Sequence, residues 1–195
     1  MEDDLINITE LSLIESNYYK ELCIFYDDYC NDSNNLMDEI INIINSKNKL
    51  SLRFLEWVVS KYCKLYLVCI NVNNKYNKED EYNIYIGYNA HIDTHDKYYF
   101  DAFKRRKKCQ KFVFKTGKYE FVTNICQLIY FKWIIQYDIL IYVKNNYEFL
   151  NGKIKEVNEI FKKIKEEKKK KKSLCSKSNT YSTSPTNTSS FSIEL

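Results

Sequence analysis

Two features of this chain combine residue types and spacings that could do chemistry: a pair of histidines and a run of cations. His91-Ile-Asp93-Thr-His95-Asp96 holds both histidines of the chain. A His-x-x-x-His spacing sets two imidazoles on one face of a helix, where Asp93, Asp96 or Asp101 could add a carboxylate to a divalent metal. Yet the segment follows a strand-like run, lacks an apolar helical pattern and has no Glu beside the first His, as a zinc protease helix requires. The residues weigh toward surface histidines, and a metal-dependent hydrolase around His91 and His95 ranks third among the readings.

The cations are denser. Tyr98-Tyr99-Phe100-Asp101-Ala102-Phe103 runs directly into Lys104, Arg105, Arg106, Lys107 and Lys108, and Lys111, Lys115 and Lys118 follow with no acid before Glu120. Arg forks onto phosphate, Lys adds point charge, and Phe or Tyr can stack on unpaired bases. The bland alternative is a solvated loop beside Phe100 and Phe103, which as core anchors three residues apart would still aim the arginines.

Other chemistry lacks a pattern. Three Gly and one Pro leave no phosphate-cradling loop. The seven cysteines, at 23, 30, 63, 69, 109, 126 and 175, form no CxxC pair or zinc template, and most lie in apolar runs where Cys acts as a small hydrophobe. Neither Cys109 nor Cys126 carries a nucleophile motif. No cofactor is implied, and an enzyme is the less favoured reading.

The elements that must position these residues read as α+β. With 195 residues, 45% apolar and 16% aromatic, the chain can bury a proper core. Residues 1–34 read as an acidic N-terminal arm, with eleven acids against the single Lys20 over residues 1–40 and one short helix beginning near Thr9. Residues 35–150 read as the core domain. In it, Asn35 caps a helix over 36–46 and Ser51 opens another over 52–63. Leu65–Val72 and Tyr82–Tyr88 alternate as antiparallel strands around a polar turn at 73–80. Lys111–Lys115 and Tyr119–Val122 pair across Thr116-Gly117-Lys118. Asn124, with Gln127 three residues on, starts a helix to Ile135 that is apolar nearly all round and therefore central. Asp138 caps a further helix through Val143. Trp57 and Trp133, in the two most apolar helices, are expected to be buried and close together, covering a sheet of three or four strands.

Residues 151–172 read as a basic C-terminal helix with the stripe Ile154, Val157, Phe161 and Ile164, too short for a coiled coil. Residues 173–195, with twelve Ser or Thr, read as a disordered tail. The acidic start carries no signal-peptide pattern, and no apolar run reaches about 18 residues, so no membrane span is expected.

Three blocks carry a resemblance. SLRFLEWVVSKY at Ser51 to Tyr62 resembles an LRFLEWFVTNY block, FDAFKRR at Phe100 to Arg106 an FDPFCRR block, and QLIYFKW at Gln127 to Trp133 a QLNFFRW block. Together they resemble a family of small proteins of the nucleocytoplasmic large DNA viruses, of the mimivirus and phycodnavirus kind. The likeness covers about residues 50–145. Ala102 stands for the family's proline and Lys104 for its cysteine, which argues against cysteine chemistry there. The resemblance implies a viral setting, with the host cytoplasm, viral factory or virion as the place of action. The expectation is a non-catalytic protein that binds nucleic acid through residues 98–118. The alternative is a virion or interaction component whose acidic arm and aromatic surface dock a viral or host protein.

Overall fold

The computed structural model describes residues 5–33, 36–72, 81–103 and 110–178. The described residues divide between Lys153 and Ile154 into two compact units.

Helix α1 (Leu13–Cys30) begins at a capping box, in which Ser12 Oγ accepts from Glu15 N–H and the Glu15 carboxylate accepts from Ser12 N–H. Leu22, Phe25, Tyr26 and Tyr29 are its buried residues, spaced i, i+3, i+4, i+7, while Glu21, Asp27 and Asp28 face water. The acids mark only the outer face of a helix whose other face is core, and the helix runs 18 residues where a short one was expected.

Helix α2 (Met37–Ile44) buries Met37, Ile40 and Ile43; its expected cap, Asn35, lies outside the described residues. Ser51 caps α3 (Leu52–Trp57) by accepting from Phe54 N–H at 3.2 Å. The helix then widens into a π turn over Val58–Tyr62 and closes with α4 (Cys63–Tyr66), ending where Leu67 turns left-handed at φ 48°.

The next two expected strands are cut to two residues each, and most of the second gives way to helix. Only Cys69–Ile70 (β1) and Tyr82–Asn83 (β2) pair, antiparallel, and α5 (Ile84–Thr94) starts at once because Asn83 Oδ1 accepts from Ile86 N–H at 3.0 Å. The alternation that suggested a strand fails at Ile86, which is 65% exposed while Ile84 and Gly87, three apart on one helical face, are buried. A short α6 (Asp96–Tyr99) follows.

The hairpin of β3 (Phe112–Thr116) and β4 (Tyr119–Thr123) pairs in the register Phe112↔Thr123 to Thr116↔Tyr119. Gly117 takes φ +52° at its turn, and a Cβ there would come 3.2 Å from Cys30 Cβ. The architecture is α+β, with the four strands of the described residues in two separate pairs. The β3–β4 hairpin is backed by α1: Tyr19 sets its ring edge-on to Phe112 and Phe114, and Tyr26 edge-on to Phe114.

Asn124 Oδ1 accepts from Gln127 N–H at 3.0 Å and opens α7 (Ile125–Gln136), which buries Ile125, Leu128, Phe131 and Ile135 on differing faces. Tyr26 donates to the Leu128 carbonyl at 2.9 Å, tying α1 to this central helix. Trp133 Nε1 donates to Tyr82 Oη at 2.9 Å, tying β2 to it as well. Helices α8 (Ile139–Asn145) and α9 (Tyr147–Gly152) complete the unit; Asp138 precedes α8 in a left-handed conformation without a side-chain capping bond. Both tryptophans are buried. Trp57 meets Phe54 and Tyr62, whereas Trp133 meets Tyr88, Phe100 and Tyr130. In the second unit, α10 (Ile154–Ser178) carries the Lys168–Lys172 run.

Gly87 permits the Trp133–Tyr82 bond. A Cβ on it would overlap the Tyr82 hydroxyl and lie 2.9 Å from Tyr82 Cε1, and that ring is stacked on Tyr137 at 3.8 Å between centroids. Overpacking costs about 1–3 kcal/mol, against a helical gain of up to about 1 kcal/mol for Ala over Gly. Gly87→Ala should therefore lower the melting temperature.

Two buried tyrosines give a contrasting pair. Tyr26→Phe removes a satisfied bond and should cost about 0.5–1.5 kcal/mol. The Tyr130 hydroxyl is buried with no hydrogen-bond partner among the described residues, so Tyr130→Phe should leave thermal stability equal or higher. A loss matching that of Tyr26→Phe would reveal a partner for Tyr130.

Candidate nucleic-acid interface

Both described flanks of the cationic segment are fixed by the core. On the N-terminal side Phe100 and Ala102 are each 3% exposed. Phe100 stands 5.4 Å from Trp133, 5.7 Å from Tyr130 and 5.7 Å from Tyr88, measured between ring centroids. Asp101 Oδ1 then accepts from Phe103 N–H at 3.1 Å, a side-chain turn that reverses the backbone as it leaves the core. On the C-terminal side Ile6 N–H donates to the Lys111 carbonyl at 2.9 Å, and Phe112 is fully buried. Lys104, Arg105, Arg106, Lys107 and Lys108 lie between these anchors and outside the described residues.

Three cations of the candidate set are described, all on the hairpin. Phe112, Phe114 and Thr116 point inward, so strand alternation puts Lys111, Val113 and Lys115 on the outer face. Lys111 is half-buried, whereas Lys115 and Lys118 are exposed. Lys115 pairs with Glu120 directly across the ladder at 3.2 Å, with the two side chains 70% and 60% exposed. Such a pair is worth at most about 1 kcal/mol. Lys118, at the hairpin tip, holds its ammonium 5.2 Å from the Tyr119 ring centre, and Tyr119 Oη donates to Asp38 at 3.3 Å. The hairpin thus presents cations beside two carboxylates.

The histidines fall elsewhere, and in a helical setting that the sequence reading did not anticipate. His91 lies within α5, and His95 closes it by donating its N–H to the His91 carbonyl at 3.0 Å. Because the helix continues through this stretch, the two imidazoles share a face with centroids 5.6 Å apart and planes 17° apart. That arrangement stacks the rings. Among the described residues no group of three or more His, Cys, Asp or Glu side chains is placed to hold a metal ion. Burial, then His95 and Lys132, push the His91 imidazole down to about 4, and burial and Lys132 push His95 down as well.

The described thiols do not gather either. Burial pushes Cys63 up to about 12 and raises Cys23 and Cys30, which keeps each in the protonated, weakly nucleophilic form. Cys126 Sγ donates to the Tyr98 carbonyl at 3.5 Å, and Cys109 lies outside the described residues.

Sequence reasoning missed the hub around Phe100. Its members come from three elements distant in the chain: Tyr88 and His91 on α5, Phe100 itself, and Tyr130 and Trp133 on α7. One signal was available: two blocks of the viral resemblance, FDAF and QLIYFKW, meet here. The third joins through Tyr88, whose hydroxyl donates to Glu56 at 2.9 Å.

Comparison with known proteins accords with this. A family of unknown function, DUF7197, matches residues 20–193. An uncharacterised protein of Acanthamoeba polyphaga mimivirus is 32% identical over 137 residues, covering 69% of this chain and 51% of the relative. The chain therefore spans about half the length of that curated relative. No solved structure matches. The chain belongs to DUF7197, a conserved family of the large DNA viruses.

Proposed function

We propose that this member of a large-DNA-virus family is a non-catalytic nucleic-acid-binding protein acting in the host cytoplasm or viral factory. Its contact residues are Lys104, Arg105, Arg106, Lys107, Lys108, Lys111, Lys115 and Lys118. The observation that supports the reading is the anchoring of both flanks: Phe100 and Ala102 on one side, the Lys111 carbonyl and Phe112 on the other. A short cationic stretch with fixed ends has fewer conformations to lose when it meets a phosphate backbone than a free tail has. Arginine pairs within it supply planar forks for phosphate oxygens. The carboxylates of Glu120 and Asp38 bound the surface and set where a polyanion can lie.

Replacing Arg105, Arg106, Lys107 and Lys108 together by Gln should weaken binding while the circular dichroism spectrum stays unchanged. Each lost phosphate contact should flatten the log–log salt dependence by about 0.7–0.9. Glu120→Gln should do the reverse, since it releases Lys115 for phosphate and steepens the slope by up to about 0.9. Truncation after Lys165 removes the Lys168–Lys172 run and should leave measurable binding. An unchanged slope in the Gln variant would overturn the reading in favour of a protein-docking component.

A further inference from the structure

His91, His95 and Phe100 lie as three nearly parallel rings. His91 and Phe100 are 5.6 Å apart at 22°, His95 and Phe100 6.2 Å at 14°, and the two imidazoles 5.6 Å at 17°. Trp133 of α7 closes the group, 5.9 Å from His91 and 5.4 Å from Phe100. Nδ1 of His91 is buried with no hydrogen-bond partner among the described residues. A neutral imidazole tolerates this, but an imidazolium donates from both nitrogens and would bury an unmet, charged donor.

We propose that this stack is an acid-sensitive joint: protonation of His91 and His95 parts the rings, frees Phe100 from Trp133 and loosens α5 and the Tyr98–Phe103 segment from α7. The device stands independently of what the chain binds.

The surroundings of the stack give the sign. Two imidazolium charges on adjacent, stacked rings repel one another, and Lys132 on α7 opposes the protonation of each. Glu21 on α1 pulls the other way, at His95 alone. The other ring neighbours among the described residues, besides Phe100 and Trp133, are Tyr18 of α1 at 5.8 Å from His95 and Tyr137 at 6.0 Å from His91. In the unfolded chain a histidine titrates near its ordinary value of 6.5, whereas folded His91 is held to about 4. As pH falls through that window the unfolded or opened state binds the proton first. The joint is therefore at full strength above about pH 6.5 and weakens steadily toward about pH 4.

The test uses the full chain labelled with 5-fluorotryptophan, whose two fluorine resonances are assigned with Trp57→Phe. Between about pH 7.5 and 4.5 the Trp133 resonance should shift and gain solvent-isotope sensitivity, while the Trp57 resonance stays in place. The double variant His91→Gln, His95→Gln should flatten the Trp133 response. A Trp133 signal indifferent to pH, or the same response in the double variant, would overturn the proposal. Should that variant fail to fold, imidazole titration of the unaltered chain decides instead. Two histidines titrating at the ordinary value would refute the joint, and His91 titrating well below it together with the Trp133 shift would support it.

Discussion

The bond from Trp133 Nε1 to Tyr82 Oη, at 2.9 Å and fully buried, is the constraint on which the middle of this molecule depends. An indole N–H in a core needs an acceptor, and here the acceptor is a phenol delivered from a two-residue strand. The phenol reaches it only by passing beneath α5, at the one helical position without a side chain, Gly87. Satisfying a single donor on α7 therefore sets how closely α5 may approach. That approach in turn decides that Tyr88 and His91 face α7 and receive Phe100 between them. The segment leading into the cations is seated as a consequence.

The same cluster holds polar atoms it does not satisfy. The His91 and Tyr130 rings both border Phe100 and Trp133, and His91 Nδ1 and Tyr130 Oη are buried without a hydrogen-bond partner among the described residues. An unmet buried group costs about 1–3 kcal/mol, comparable to the net worth of the bonds made nearby. The region is well packed by rings yet locally unsatisfied, whereas α1 is fastened by complete bonds through Tyr26 and through Thr116 Oγ1 to Asp27 at 2.7 Å. A core built this way is stiff where α1 meets the β3–β4 hairpin and sensitive to charge where α5 meets α7.

What could be read from the sequence divides along the range of the responsible interaction. Ser51, the Asn124–Gln127 pair and the hairpin turn at Gly117 were legible because each is decided within four residues. Helix α7 was legible because a segment apolar on all sides has only one place to go. The length of α1 was misjudged because the acids of the N-terminal stretch drew the reading toward solvent, although four buried residues at helical spacing, Leu22, Phe25, Tyr26 and Tyr29, suffice to seat it. The strand expected over 82–88 fits a period of two in its residue types. What overrides that period is the Asn83 cap together with the Tyr82–Trp133 bond, which spans 51 residues. The histidine pair went astray with it, since its chemistry follows from whether the preceding stretch is strand or helix. The viral resemblance saw further than local pattern did: three of its blocks meet at Phe100 and Tyr88.

This bears on how the two basic regions of the chain differ. Lys168–Lys172 belongs to the backbone of a helix in a separate unit. Its attraction for polyanions is that of charge alone and is fully exposed to screening by salt. The cations after Phe103 begin and end at backbone held by core contacts, and Lys115 sits opposite a carboxylate that competes with any anionic ligand. A surface that combines fixed ends with competing acids gives up raw affinity and gains discrimination, because a polyanion must lie along the cations and clear of Glu120 and Asp38. That is the physical ground on which 98–118, rather than the Lys168–Lys172 run, is proposed as the site.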